Sequence, residues 1–507
     1  MTEERASGIL LHPTSLPGKY GIGTLGKTAF DFIDFLELSN QQYWQILPLG
    51  PTGYADSPYQ CFSAHAGNPN LIDLELLVED GWLQQQDLHS FPAFPEGPVQ
   101  LDEVQQTRKP FLKKAFGSFS QNANDTEKFR FRNFIKENYK WLDDFALFMA
   151  IKNSLKLKPW IQWDSDIRLR EPDAIKRFQE ELREETGYYK FLQYLFFNQW
   201  NKVKAYAHRK KIRIIGDIPL YVALDSADTW ANPGLFEFDE ELKPVRVGGV
   251  PPDYFSETGQ LWGNPLFRWT DQKEKVYDWW KERIATNLSM FDIVRIDHFR
   301  GFAAYWAVPY GEDTAVNGKW IEGPGKDFFD DMLNRLGKLP LIAEDLGVIT
   351  PDVEELRDTF GFPGMKILEF AFDSEEANDY IPYNYTRNCI VYTGTHDNDT
   401  VIGWFNEVKP EDKELLLEYL NTEGTEINWD MIRLAWSSVA NTAIVPMQDL
   451  LGLGTEGRMN VPGTTKDNWR WRAKSTDFTA ELAEKLAKLT TLYGRIHKKN
   501  NPVSLDH

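Results

Sequence analysis

Cysteine is nearly absent. Only Cys61 and Cys389 occur in a chain of 507 residues, so neither a disulfide framework nor a cysteine-based zinc site is available. Long apolar runs are missing as well. The longest, such as residues 145–151, hold seven residues, against the roughly 20 needed to cross a bilayer. The opening Met-Thr-Glu-Glu-Arg-Ala-Ser-Gly has no apolar stretch behind a basic start, so no secretory signal is expected and a reducing, cytoplasmic setting is. Basic charge is in deficit: 56 Lys and Arg stand against 76 Asp and Glu, a formal net charge of −20. That balance argues against a duplex nucleic-acid binder and against adsorption to anionic lipid. No repeat or low-complexity tract stands out, and no His-x-His or His-x-x-x-His pair suggests zinc.

The chain is instead rich in aromatic rings, with 18 Trp, 20 Tyr and 33 Phe. Some belong in a core, but many fall in Gly/Pro-rich stretches that read as loops, where rings suit a ligand with flat apolar faces. Eight short apolar, β-branched runs stand out, at 8–12, 43–49, 211–218, 292–297, 341–344, 365–370, 389–395 and 443–448. Most end in a polar or charged residue, as buried parallel strands do. Helical periods fill several gaps, such as 28–38 and 351–360, the second with Thr350 as N-cap and Pro351 at the first position. Strand and helix alternating eight times predict an α/β fold, a TIM (β/α)8 barrel, spanning 1–507 as a single catalytic unit.

Such a barrel needs about 250 residues, which leaves room for insertions. The largest is an inserted subdomain at 50–210, between the second and third strands, with helices at 141–156 and 188–210. A second stretch, 247–269, reads as an irregular aromatic active-site loop. The last helix, at 480–496, presents Leu482, Leu486, Leu489 and Leu492 as a stripe that packs on the barrel. Gly-Ile-Gly-Thr-Leu-Gly at 21–26 matches G-x-G-x-x-G, but Pro13 and Pro17 interrupt the approach and no acid ends the next strand to hold a ribose. It reads as an ordinary first loop.

Asp217, Asp297, Glu344 and Asp397 each close, or nearly close, a different expected strand, the catalytic end of such a barrel. Arg295 and Asp297 are two apart on one strand and point to the same side, so the guanidinium favours and orients the carboxylate. Two carboxyls facing one bond can cleave a glycoside. Acids on successive strands can also hold magnesium for enolate chemistry, with Lys366 as a candidate base. A carbohydrate-binding protein without turnover would need the rings but not the acids. His298 and His396 flank the acids as hydrogen-bonding groups rather than metal ligands.

Four segments resemble the signature regions of glycoside hydrolase family 77, the amylomaltases or 4-α-glucanotransferases: Gly-Asp-Ile-Pro-Leu-Tyr-Val (216–222), Val-Arg-Ile-Asp-His-Phe-Arg-Gly (294–301), Ala-Glu-Asp-Leu-Gly (343–347) and Thr-Gly-Thr-His-Asp-Asn (393–398). Six more matches follow in order, at 12–16, 47–52, 56–59, 248–254, 260–265 and 458–463. The resemblance implies that α-1,4-glucan segments pass from a maltooligosaccharide to the 4-hydroxyl of a glucan or glucose, by retaining double displacement. It makes Asp297 the nucleophile, Glu344 the general acid/base and Asp397 the transition-state stabiliser. Tyr59, Asp217, Arg295 and His396 then line the reacting sugar, and Asp253, Tyr254, Gln260, Trp262 and Asn460 bind substrate. Tyr254, Phe255, Trp262 and Trp269 are candidates for covering the site. No metal or cofactor, no nucleic-acid or membrane partner, and a monomer are expected.

Overall fold

The computed structural model describes residues 4–252, 256–372 and 379–497. Twelve strands are present among them: β1 (Ala6–Leu10), β2 (Tyr43–Gln45), β3 (Arg213–Pro219), β4 (Arg246–Val250), β5 (Gln260–Pro265), β6 (Ile293–Asp297), β7 (Ala304–Pro309), β8 (Lys319–Glu322), β9 (Leu341–Ala343), β10 (Gly364–Ile367), β11 (Cys389–Tyr392) and β12 (Thr442–Pro446). Eight of them form one parallel sheet in the order β10-β11-β12-β1-β2-β3-β6-β9. They are the eight expected strands, and helices cover the outside. The seam between β9 and β10 is bridged by single hydrogen bonds. Ala343 N–H donates to Pro363 O at 3.0 Å, and Met365 N–H donates to the Asp345 carboxylate at 2.7 Å. Asp345 is held in turn by Arg357 at 2.5 Å. Its Oδ2 lies 2.3 Å from where a Cβ on residue 364 would stand, so the seam requires Gly364.

Side-chain alternation sorts the barrel strands into two faces. Ala6, Leu10, Tyr43, Ile215, Ile293, Ile342, Met365, Ile390, Tyr392 and Ile444 pack together in the lumen. Their neighbours Ile9, Trp44, Ile214, Val294, Leu341, Val391 and Ala443 join the outer core against the helices. Arg295 and Asp297 share parity with Ile293, and Asp217 with Ile215, so these three polar groups face the lumen at its upper end.

Between β2 and β3 the chain is helical, from Leu74–Glu79 to the long helix Arg183–Arg209. Much of the aromatic excess is spent here on packing: Phe119 contacts Phe191 with centroids 4.8 Å apart and Trp82 at 5.0 Å. Each such pair contributes about 0.5–1.5 kcal/mol beyond area burial. Those rings are core rather than ligand platforms. The loop before helix Lys27–Leu38 is also structural, because the Asp73 carboxylate occupies the space beside Gly26 and accepts from the Thr24 hydroxyl at 2.6 Å.

The structure corrects three expectations. The 247–269 stretch is not irregular throughout: β4 and β5 lie in it, in an antiparallel sheet ordered β5-β4-β7-β8. Gly248 there has no side chain because the Tyr221 ring lies 2.8 Å from its would-be Cβ, and such glycines hide the strand alternation. Leu492 is 66% exposed and stands outside the stripe of the last helix, Ala480–Leu492, while Leu486 and Leu489 are buried. Thr350 is the N-cap residue of helix Pro351–Thr359, but its side chain makes no capping bond. Among the described residues, no helix is long and apolar enough to cross a membrane.

Candidate active site

The strands place the first half of the site. β3 and β6 pair with Asp217 opposite Arg295, which brings the two side chains together inside the barrel mouth. Arg295 Nη1 meets Asp217 Oδ2 at 2.6 Å, and Nη2 meets Asp297 Oδ1 at 2.9 Å. Tyr59, from the loop after β2, donates its hydroxyl to the same Asp217 oxygen at 2.8 Å. Burial works against the Arg295 charge, but the carboxylates of Asp217 and Asp297 outweigh it and hold the guanidinium well above its ordinary range. Burial pushes the Asp217 carboxyl up, while Arg295 and the Tyr59 hydrogen bond hold it down.

Glu344 follows β9 by one residue. Its Oε2 accepts from the His298 N–H at 2.7 Å and its Oε1 from the Leu346 N–H at 2.9 Å. The first bond requires the chain to turn sharply just after Asp297, and His298 does so with φ of 55°. Burial, with the Asp297 charge adding to it, raises the Glu344 carboxyl well above the usual range, against Arg295 and the two N–H groups. The His298 ring is itself buried, which pushes it down to about 3, and Trp262 packs edge-on against it at 4.7 Å.

The second half is built from loops. Asp397 lies five residues beyond the end of β11 and is partly exposed. Its Oδ1 accepts from Asn460 Nδ2 at 2.6 Å, and its Oδ2 lies 3.4 Å from His396 Nε2. Arg458 ties the arrangement down, donating to Asp397 O and to Asn460 O at 2.9 Å each. The His396 ring stacks on Tyr59 at 5.3 Å, which joins the two halves. Burial lowers the His396 imidazole and keeps it neutral.

Of the residues expected at the site, Tyr59, Asp217, Arg295, Asp297, His396, Asp397 and Asn460 are thus linked by direct contacts, and Glu344 joins them through the His298 N–H. Trp262 reaches the group through His298, and Gln260 through a 3.1 Å bond from Trp262 Nε1. Asp253, Tyr254 and Phe255 lie outside the described residues. Trp269 does not cover the site. It is buried, stacked on Trp280 at 6.2 Å and packed against Phe302 and Phe328.

One residue was missed. Trp469 closes the wall behind Tyr59 and His396, at 5.9 and 5.8 Å. It takes a left-handed φ of 64°, unusual for a large side chain. A lone Trp within Lys-Asp-Asn-Trp-Arg is the only signal in the sequence that such a ring serves a site.

The site thus holds a lumen-facing arginine shared by two aspartates, a half-buried glutamic acid close to one of them, and a third carboxylate on the loop after β11. The sequence matches glycoside hydrolase family 77, described as 4-alpha-glucanotransferase, over residues 11–477. It is 52% identical to the 4-alpha-glucanotransferase of Synechocystis sp., over 98% of this chain and 99% of that one. It is 50% identical to that of Clostridium butyricum, over 96% of this chain and 100% of that one. The structure superposes on amylomaltase from Streptococcus agalactiae in complex with acarbose with a TM-score of 0.94, at 42% identity, covering 97% of this chain and 100% of that one. The chain belongs to glycoside hydrolase family 77 and is a 4-α-glucanotransferase, working by retaining double displacement through a covalent glycosyl-aspartate.

Proposed function

We propose that Asp297 is the nucleophile of this reaction, Glu344 its general acid and base, and Asp397 the group that stabilises the oxocarbenium-like transition state. The observation that carries this reading is the bond from the His298 N–H to Glu344. It fixes Glu344 beside the backbone of Asp297, with a cation paired to Asp297 and none paired to Glu344. Burial, with the Asp297 charge adding to it, favours the acid form of Glu344 beside an Asp297 oriented by Arg295, an arrangement that suits retention.

In the first step an Asp297 oxygen bonds to the anomeric carbon of the donor glucan. The bond from that carbon to the departing 4-oxygen breaks, and the Glu344 proton goes to that oxygen. In the second step Glu344 takes the proton from the acceptor 4-hydroxyl as its oxygen attacks the same carbon and Asp297 leaves. Asp397, held by Asn460, places negative charge where positive charge develops on the ring. Tyr59, His396 and Trp469 form one aromatic wall suited to a sugar face, and Trp262 forms part of another. Gln260 extends the substrate contacts on the β4–β5 side, and Asp253 and Tyr254 complete the substrate-binding set of this reading.

Donors are maltooligosaccharides from starch or glycogen, acceptors are glucans or glucose, and the protein acts as a cytoplasmic monomer. Incubation with maltotriose tests the reading. Free glucose and longer oligosaccharides at constant total reducing ends are expected, whereas rising reducing ends with only shorter products would mean hydrolysis instead.

A further inference from the structure

Glu369 is a buried acid that this chemistry leaves unused. It lies in the short turn Leu368–Phe370 after β10 and is 6% exposed. Its Oε1 has no hydrogen-bond partner and sits 2.5 Å from where a Cβ on Gly394 would stand. The carboxyl is therefore pressed against the start of the loop that carries Asp397. From that loop the Asn398 Cβ lies 3.3 Å from the same point, so the Asn398 side chain adjoins the Glu369 carboxyl.

Asn398 also faces the other way. Its Oδ1 accepts from the Thr395 N–H at 2.9 Å and from the Thr395 hydroxyl at 2.8 Å. With that oxygen engaged twice, the amide nitrogen is the group left for Glu369. Thr395 Oγ1 in turn accepts the Asp397 N–H at 3.3 Å. A continuous path thus runs from Glu369 through Asn398 and Thr395 to the backbone of Asp397.

We propose that Glu369 is a positioning residue for Asp397, fixing the turn at residues 395–398 through Asn398 so that the Asp397 carboxylate stays aimed at the reacting sugar. This rests on the assignment of Asp397 given above. Two other carboxyls face Glu369. Asp449 is bonded to the Thr393 hydroxyl and the Val401 N–H, and Asp399 to the Thr455 hydroxyl and the Thr400 N–H. Among the described residues, the cation facing this group is Arg458, 4.0 Å from Asp399. Burial and the charges of Asp449 and Asp399 raise the Glu369 carboxyl well above its ordinary range, against Arg458 and Asn398. In this proposal Glu369 is a neutral acid offering its carbonyl oxygen to the adjoining Asn398 amide, which a glutamine amide can also do.

The test compares Glu369→Gln, Glu369→Leu, Asn398→Ala and the double variant Glu369→Leu/Asn398→Ala on maltotriose, with Asp397→Asn as reference. Glu369→Gln is expected to keep at least half of kcat. Glu369→Leu and Asn398→Ala should each lower kcat about 10- to 100-fold with KM within about twofold. The double variant should fall no further than either single one, because both break one path. Full kcat in a folded Glu369→Leu, multiplicative losses in the double variant, or failure of Gln to rescue would overturn the proposal. If Glu369→Leu does not fold, unchanged kcat in Asn398→Ala overturns it equally. Full activity of Asp397→Asn would instead remove the assignment beneath it, so the two failures are distinguishable.

Discussion

The two halves of the site are made in different ways. Asp217, Arg295 and Asp297 stand on adjacent barrel strands, where ladder pairing and side-chain parity place them before any polar contact forms. Asp397 stands on a loop, and its position depends on side chains: Asn460, Arg458 and Thr395. Asp297 is held by the fold and Asp397 by a hydrogen-bond network. Substitutions in the first half should therefore cost activity and stability together, while those in the second should cost activity alone.

The largest effects are expected at Asp297 and Glu344. Asp297→Asn should lower kcat on maltotriose by 10³-fold or more, about 4 kcal/mol of barrel-mouth chemistry lost, with the fold intact by circular dichroism. Glu344→Gln should fall comparably on maltotriose. A glucosyl fluoride donor, whose leaving group needs no proton, should restore its first step but not that of Asp297→Asn.

Arg295→Met comes next and separates the halves. It leaves Asp217 and Asp297 buried together without a cation, so a loss of about 3–5 kcal/mol of stability in urea unfolding should accompany a large fall in kcat. Asn460→Ala should lower kcat about 10- to 100-fold while moving the melting temperature by no more than about 2 °C. A large loss of stability there would erase the distinction.

The smallest effect is a gain. Because the folded Glu344 carboxyl is raised, its favourable protonated state contributes fully below the unfolded value and is lost as pH rises toward the folded one. Glu344→Gln removes that penalty. It should raise the melting temperature by a few degrees at pH 7 and leave it unchanged near pH 4, as calorimetry at the two pH values would show.

The same division decides what could be read from the sequence. Short apolar runs ending in acids mark the barrel, because buried parallel strands need continuous apolar residues and the catalytic residues follow them. Asp217, Arg295, Asp297 and Glu344 were legible for that reason. Asp397 was singled out with them as an acid near a strand end, but Asn460 was reached through motif resemblance, since nothing in local periodicity brings residues 63 positions apart into contact. Strand lengths were overdrawn: β10 stops at Ile367 and β11 at Tyr392, and the residues beyond turn into the loops that hold the network. The β4–β5 hairpin was hidden by its glycines. Trp269 was misplaced because a ring in a Gly/Pro-rich stretch looks the same whether it meets a sugar or Trp280. Trp469 and Glu369 carry no pattern of their own, and only the packed chain shows what they touch.

The most direct measurement traps the covalent intermediate. Glu344→Gln mixed with maltotriosyl fluoride should accumulate a glycosyl-enzyme, because the donor step no longer needs the acid while the acceptor step still needs the base. Digestion and mass spectrometry should then find one maltotriosyl unit on the peptide carrying Asp297. A label on Asp397 or Asp217, or turnover with no covalent species, would contradict the assignment of Asp297.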